Sequence, residues 1–256
     1  MSERRKEIIS IIEPQLSSDG CWLQWFRTIN PANVVVTMPF FALEYFRSGE
    51  TKVETPNPKP REVQNTSFYL YMIHGKYSLR IDNNTVNDVK AGELIALHTG
   101  KNTIMEEVFL PTHRKLEGFR LWLDQTKNFQ PNKSISITPN HSTIMGKDYS
   151  VQIQVLAGKS QFDPINEKDI PKVNLLRIDV DKFSEFRWVA PIHHNVLVFV
   201  FQGRGYFGPY KVEKEVLVAR HQVLIYGQGE AVIMRTEDTP LSLLIATGRI
   251  PIDSMD

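Results

Sequence analysis

Two stretches of this chain repeat one another at an offset of 128 residues, and that repeat restricts the fold more than any other feature. Leu70-Tyr71-Met72-Ile73-His74-Gly75 is answered by Val198-Phe199-Val200-Phe201-Gln202-Gly203, and Glu93-Leu94-Ile95-Ala96-Leu97-His98 by His221-Gln222-Val223-Leu224-Ile225-Tyr226. Each half then passes through a short Gly-containing turn into a further β-like run, Thr103 to Val108 and Ala231 to Arg235. The runs are short, rich in Val, Ile, Phe and Tyr, and separated by Gly, Asn and Pro, so they read as strands and turns. Antiparallel sheets hide their edges by closing, and the repeat therefore predicts two barrels or sandwiches in tandem.

The strands expected in the first half are Asn33 to Met38, Phe40 to Phe46, Ser67 to Ile73, Tyr77 to Asp82, Glu93 to His98, Thr103 to Leu110 and Gly118 to Asp124. Those in the second are Val151 to Ala157, Val173 to Val180, Phe183 to Val189, Val196 to Phe201, Tyr206 to Gly208, Gln222 to Tyr226, Ala231 to Arg235 and Leu241 to Ala246. Ser2 and Glu3 can cap a helix whose isoleucines give one apolar face and which Pro14 stops, so a short N-terminal helix is expected. Gln125 to Ser150, rich in Asn, Lys, Ser and Pro, reads as a crossing segment. The expected domains are an N-terminal helical segment (1–20), a first barrel (21–125), the crossing (126–150) and a second barrel (151–256). Pro56, Pro58 and Pro60 keep Ser48 to Asn65 out of any central strand and place it along a rim.

With 41% hydrophobic and 23% charged residues, the 256-residue chain has material for two cores. Thirty basic residues against 29 acidic ones leave a net charge of +1, too little to hold nucleic acid by neutralising phosphates. The only cysteine, Cys21, cannot form an internal disulfide and reads as a small buried hydrophobe. The apolar run Ile8 to Ile12 is too short for a signal peptide or a membrane span. A cytoplasmic protein that binds neither membrane nor, on its own, nucleic acid is expected, with an unidentified small molecule or protein as partner.

Gly203-Arg204-Gly205-Tyr206-Phe207-Gly208 has the spacing of a dinucleotide-binding loop, but Pro209-Tyr210 and more β-like sequence follow where a helix N-terminus is needed. It reads as a glycine-rich hairpin. His193 and His194, with His221, are candidate metal ligands by residue type, but neighbours in a strand point to opposite faces and no carboxylate stands suitably beside them, so no metal is expected there. His74, His98, His113 and His141 fall at turns or strand ends and read as solvated.

Gly92 to Gly100, continued to Glu107 and then Gly118-Phe119-Arg120-Leu121-Trp122-Leu123-Asp124, resembles the second cupin motif of the pirin family and the strand after it. Met38 to Leu43 resembles that family's entry strand, and Leu197 to Gly208, Val223 to Gly229 and Leu243 to Arg249 resemble its C-terminal barrel. The resemblance covers most of the chain from about Asn33. It implies an all-β fold of two tandem cupin-type antiparallel β-barrels of the RmlC-like type.

The resemblance also implies a metal site in the first barrel, held by an H-x-H pair before the strand Ser67 to Ile73 and an H-x-E pair in the second motif. Aligned without gaps, the four positions fall on Arg61, Val63, Met105 and Glu107, of which only Glu107 keeps a ligand type. A cationic Arg, a Val and a thioether suit a hard cation poorly, so no metal, no cofactor and no catalytic residue are expected. Arg61 is expected to pair with Glu107 across the former site. Tyr69, Tyr71, Phe119 and Trp122 are candidates for an apolar pocket. The function so implied is that of a pirin-like bicupin with a degenerate metal site, a non-enzymatic small-molecule-binding or regulatory protein. The alternative is a quercetin 2,3-dioxygenase-like metal-dependent oxidoreductase whose iron or other transition metal has moved, for instance to His74 or His98 with Glu107.

Overall fold

The computed structural model describes residues 6–17, 23–29, 37–48, 59–65, 67–82, 84–100, 103–110, 115–123, 133–137, 140–145, 150–158, 173–190, 194–210, 214–227 and 229–249. Their strands, in chain order, are β1 (Ile8–Ile12), β2 (Gln15–Ser17), β3 (Leu23–Arg27), β4 (Phe40–Ser48), β5 (Arg61–Val63), β6 (Ser67–His74), β7 (Lys76–Ile81), β8 (Asn84–Lys90), β9 (Leu94–His98), β10 (Thr103–Leu110), β11 (Glu117–Leu123), β12 (Lys133–Ile137), β13 (Asn140–Met145), β14 (Val151–Ala157), β15 (Val173–Val180), β16 (Glu185–Val189), β17 (His194–Tyr210), β18 (Lys214–Ala219), β19 (Val223–Tyr226), β20 (Ala231–Arg235) and β21 (Leu241–Arg249). The chain divides into two compact units: residues 15–34 and 40–139 form an N-terminal unit, and residues 1–14, 35–39 and 140–256 a C-terminal one.

The N-terminal unit has a seven-stranded sheet in the order β12-β9-β6-β11-β4-β3-β2 and a four-stranded sheet in the order β5-β10-β7-β8. Alternation along the strands decides what lies between them. On β10, Thr103, Met105, Glu107 and Phe109 are buried while Ile104 and Leu110 are exposed. Phe46, Phe68, Leu70 and Leu97 from the larger sheet meet Tyr77, Leu79, Met105 and Phe109 from the smaller one in a single core. The C-terminal unit is built on one ten-stranded sheet, with a core that includes Val198, Val200, Phe207, Leu224, Tyr226 and Ile245.

The repeat is realised strand by strand. β6 lies between β9 and β11, and β17 between β19 and β21. Gly75 and Gly203, which end the first repeated run in each half, both have positive φ, +88° and +78°. The glycine motif Gly203 to Gly208 lies in the C-terminal half of the 17-residue β17 and is one arm of the expected hairpin, paired antiparallel with the next strand β18 from Arg204 opposite Ala219 to Tyr210 opposite Lys214. At Gly203 a Cβ would stand 1.9 Å from the Pro240 carbonyl oxygen, so the residue is there for close backbone approach.

The described part of the expected N-terminal helix is a strand. β1 runs antiparallel to β19, with Ile8 opposite Tyr226 and Ile12 opposite Val223. Four of its five residues are isoleucine, β-branched and better suited to a pleated surface than to a helix. Ile8 is buried while Ile9 is half-exposed, the alternation of a strand. Of the expected strand Asn33 to Met38, only Thr37 and Met38 lie among the described residues, and they lead into a turn. Within residues 125–150 the described residues include β12, paired with β9, and β13, paired with β14. No helix among the described residues is long and apolar enough to cross a membrane.

Candidate functional site

The ladder between β5 and β10 collects the four positions that the family resemblance singled out. Arg61 lies opposite Met105 and Val63 opposite Thr103, which puts Arg61, Val63, Met105 and Glu107 on one face of the smaller sheet. Met105 is fully buried and Val63 packs against the core. Arg61 Nη2 donates to Glu107 Oε2 at 3.0 Å, the expected ion pair.

A second arginine, which the sequence reading did not single out, occupies the interior. Gly118, Arg120 and Trp122 of β11 lie opposite Phe46, Glu44 and Ala42 of β4, so Arg120 faces the same core as Phe46. Its guanidinium is 1% exposed and donates from Nη2 to Glu107 Oε1 at 2.5 Å. Tyr77 Oη donates to the same oxygen at 3.0 Å. Both oxygens of Glu107 are thus claimed by protein donors. The guanidinium carbon also lies 5.1 Å from the ring centres of Trp25 and Phe68 and 5.2 Å from that of Trp122, so three aromatic faces surround the charge.

Glu44 completes the cluster. Its Oε1 accepts from Arg27 Nη2 at 2.5 Å and from Nε at 3.2 Å, and its Oε2 accepts from Trp122 Nε1 at 2.8 Å. Burial opposes ionisation of Glu44, but the charge of Arg120 and the hydrogen bonds from Arg27 and Trp122 outweigh it and hold the carboxyl below its ordinary value. Burial likewise works against the charge on Arg120, and the carboxylates of Glu107 and Glu44 reverse the balance and hold it above its ordinary value. The Tyr77 hydroxyl is pushed up by burial and then by Glu107.

A resident transition metal does not fit these residues. The four positions offer one carboxylate already bonded on both oxygens, one thioether, one aliphatic side chain and one guanidinium. An imidazole and carboxylate donor set is what such an ion needs. Among the described residues no three His, Cys, Asp or Glu side chains come together. His98, on the same face of β9 as Leu94 and Ala96, has its Nδ1 2.8 Å from Ser67 Oγ, whereas Glu107 points to the opposite face shared with Ile95 and Leu97. His74 is exposed at the end of β6.

The four aromatic pocket candidates divide between the two faces of the larger sheet. Phe119 lies opposite Tyr71, with ring centres 5.3 Å apart, and Tyr69 lies opposite Leu121, all on the face away from the core. Trp122 lies opposite Phe68 on the core face, at 5.0 Å. Burial pushes the Tyr69 hydroxyl up, and it meets no hydrogen-bond partner among the described residues. In the C-terminal unit, His194 Nδ1 lies 3.4 Å from Thr247 Oγ1, and His221 sits in a turn with φ of +75°. Cys21, His113 and His193 lie outside the described residues, as do the flanking Pro56 and Pro58.

No protein-family model matches the chain. It is 24% identical over 204 residues to a pirin-like protein of Arabidopsis thaliana, a match that spans 75% of this chain and 61% of that protein. Among solved structures, a quercetin 2,3-dioxygenase from Acinetobacter baumannii superimposes with a TM-score of 0.80 at 15% identity, covering 96% of this chain and 87% of the other. The nickel(II) complex of the bacterial pirin YhhW from Escherichia coli gives 0.69 at 13% identity, covering 94% and 99%. The chain is thus similar to pirin-like and quercetin dioxygenase proteins over most of its length. The all-β fold of two tandem cupin-type units follows from these likenesses over nearly the full length. Arg120 was missed from the sequence, together with Glu44 and Tyr77 beside it. Its signal was an arginine flanked by Phe119 and Leu121 in an apolar strand, where a charge has to find a buried partner.

Proposed function

We propose that this pirin-like bicupin is a cytoplasmic binding or regulatory protein that takes up a small molecule without metal-dependent oxidation. One observation carries the reading: Glu107, the only position of the four to keep a ligand type, has both oxygens bonded by Arg61, Arg120 and Tyr77. For a cation to take Glu107, these bonds must break, leaving Arg120 buried beside a second positive charge. Ring cleavage of a flavonol by dioxygen therefore has no evident catalyst here. The pirin and dioxygenase likenesses support the family frame and leave both chemistries open to test.

Purified protein, incubated with iron, nickel, copper or manganese and then desalted, is expected to retain far less than one metal per chain and to leave quercetin unconsumed in air. One bound metal per chain with quercetin turnover would establish the dioxygenase instead.

A further inference from the structure

The polar cluster inside the N-terminal unit has more donors than acceptors. Glu44 and Glu107 accept from Arg27, Arg61, Arg120, Tyr77 and Trp122, and every one of their four oxygens is engaged. Two donors are left over: Arg120 Nε and Trp25 Nε1 are buried and meet no acceptor among the described residues. They belong to neighbouring side chains, the Arg120 guanidinium carbon lying 5.1 Å from the centre of the Trp25 ring. Buried N–H groups in this setting want an oxygen acceptor, and leaving them without one costs free energy.

The charge is unbalanced in the same sense. Two carboxylates face three guanidinium groups, so the cluster carries one excess positive charge. A water molecule would accept from both donors but would leave that charge uncompensated; a monoanion answers both. The cluster also reaches solvent, since Arg61 and Arg27 are about half-exposed while their carboxylate partners are buried.

We propose that the interior of the N-terminal unit binds a small organic carboxylate, its oxygens accepting from Arg120 Nε and Trp25 Nε1. The proposal rests on the binding function argued above and adds the ligand's chemical class. Arg120 then has two roles, filling the place of a cation toward Glu107 and presenting its remaining N–H to an anion.

The probe is benzoate, with benzamide as its neutral counterpart, titrated into the full chain by calorimetry. Benzoate is expected to saturate below about 10 mM, as a ligand of this size can, and to bind at least about tenfold more tightly than benzamide. Trp25→Phe keeps a ring and removes one donor, so it is expected to weaken benzoate about tenfold or more while the urea midpoint of the unliganded chain stays level or rises. In wild-type protein the Trp25 indole N–H resonance is expected to shift on adding benzoate, which tests the contact even where the variant does not fold. Absence of saturation, equal binding of benzamide, an undiminished affinity in Trp25→Phe or an unmoved indole resonance would each overturn the proposal. Quercetin turnover is a separate readout, so a chain that neither oxidises quercetin nor binds benzoate sinks the carboxylate site and leaves the non-catalytic reading standing.

Discussion

Glu44 and Arg120 stand directly opposite one another on β4 and β11, two charges set into strands whose neighbouring residues are mostly apolar. Each stabilises the charged form of the other, yet their hydrogen bonds go elsewhere: Arg120 turns to Glu107, and Glu44 is held by Arg27 and Trp122. Arg120 is thus the hinge between two carboxylates that would otherwise repel each other inside the core.

Removing that cation leaves negative charge stranded. Arg120→Met is expected to lower unfolding free energy by about 3–5 kcal/mol, the range for breaking a buried pair from one side. Adding Glu107→Gln to Arg120→Met should recover about 1–3 kcal/mol, because the lost partner no longer strands a charge. Urea unfolding of the single and double variants checks both numbers.

Arg61 makes the same kind of contact to the same carboxylate from a half-exposed side chain. Water replaces it at little cost, so Arg61→Ala is expected to change stability by no more than about 1 kcal/mol. A loss as large as that of Arg120→Met in the same urea series would mean that the outer guanidinium, not the inner one, holds the cluster.

Acid should act through Glu44. Its folded-state ionisation lies below the ordinary carboxylate value of 4.5, so it contributes stability that is whole above that value and is lost as pH falls through the lower folded value. The stability difference between wild type and Glu44→Gln, measured by urea unfolding from about pH 7 to about pH 3, is expected to shrink on acidification. A difference that widens toward low pH contradicts the assignment.

Two glycines with nearly the same φ predict different penalties. Gly203→Ala meets the Pro240 carbonyl oxygen at 1.9 Å, whereas Gly92→Ala, at φ of +85°, meets nothing within 4 Å. Gly92→Ala is expected to cost about 1–2 kcal/mol of backbone strain alone. Gly203→Ala should cost more than about 4 kcal/mol or prevent folding, since β17 and the chain before β21 must separate. Thermal unfolding of the two variants side by side decides the ordering.

The strands were legible where alternation and β-branched residues agreed, as in Thr103–Leu110 and Val173–Val180, whose bounds coincide with β10 and β15. Gly75 and Gly203 marked the repeat because a positive φ is hard for any other residue. Ile8–Ile12 misled because isoleucines spaced three and four apart fit a helix face, and only pairing with β19 selects the strand. The Arg61–Glu107 pair could be anticipated from aligned positions, but the neighbours of Arg120 could not, because nothing local says that Glu44, 76 residues earlier, lies across the ladder.

β1 belongs to the C-terminal unit, although the whole of β2–β12 intervenes before the next strand of that unit. In sequence, the N-terminal unit is therefore inserted between segments of the C-terminal one. No single cut yields two self-sufficient halves: an excised 140–256 fragment would leave β19 with a bare edge where β1 had been zipped on, open to self-association. Dissecting this molecule would call for a circular permutant that rejoins its first strand to its last module.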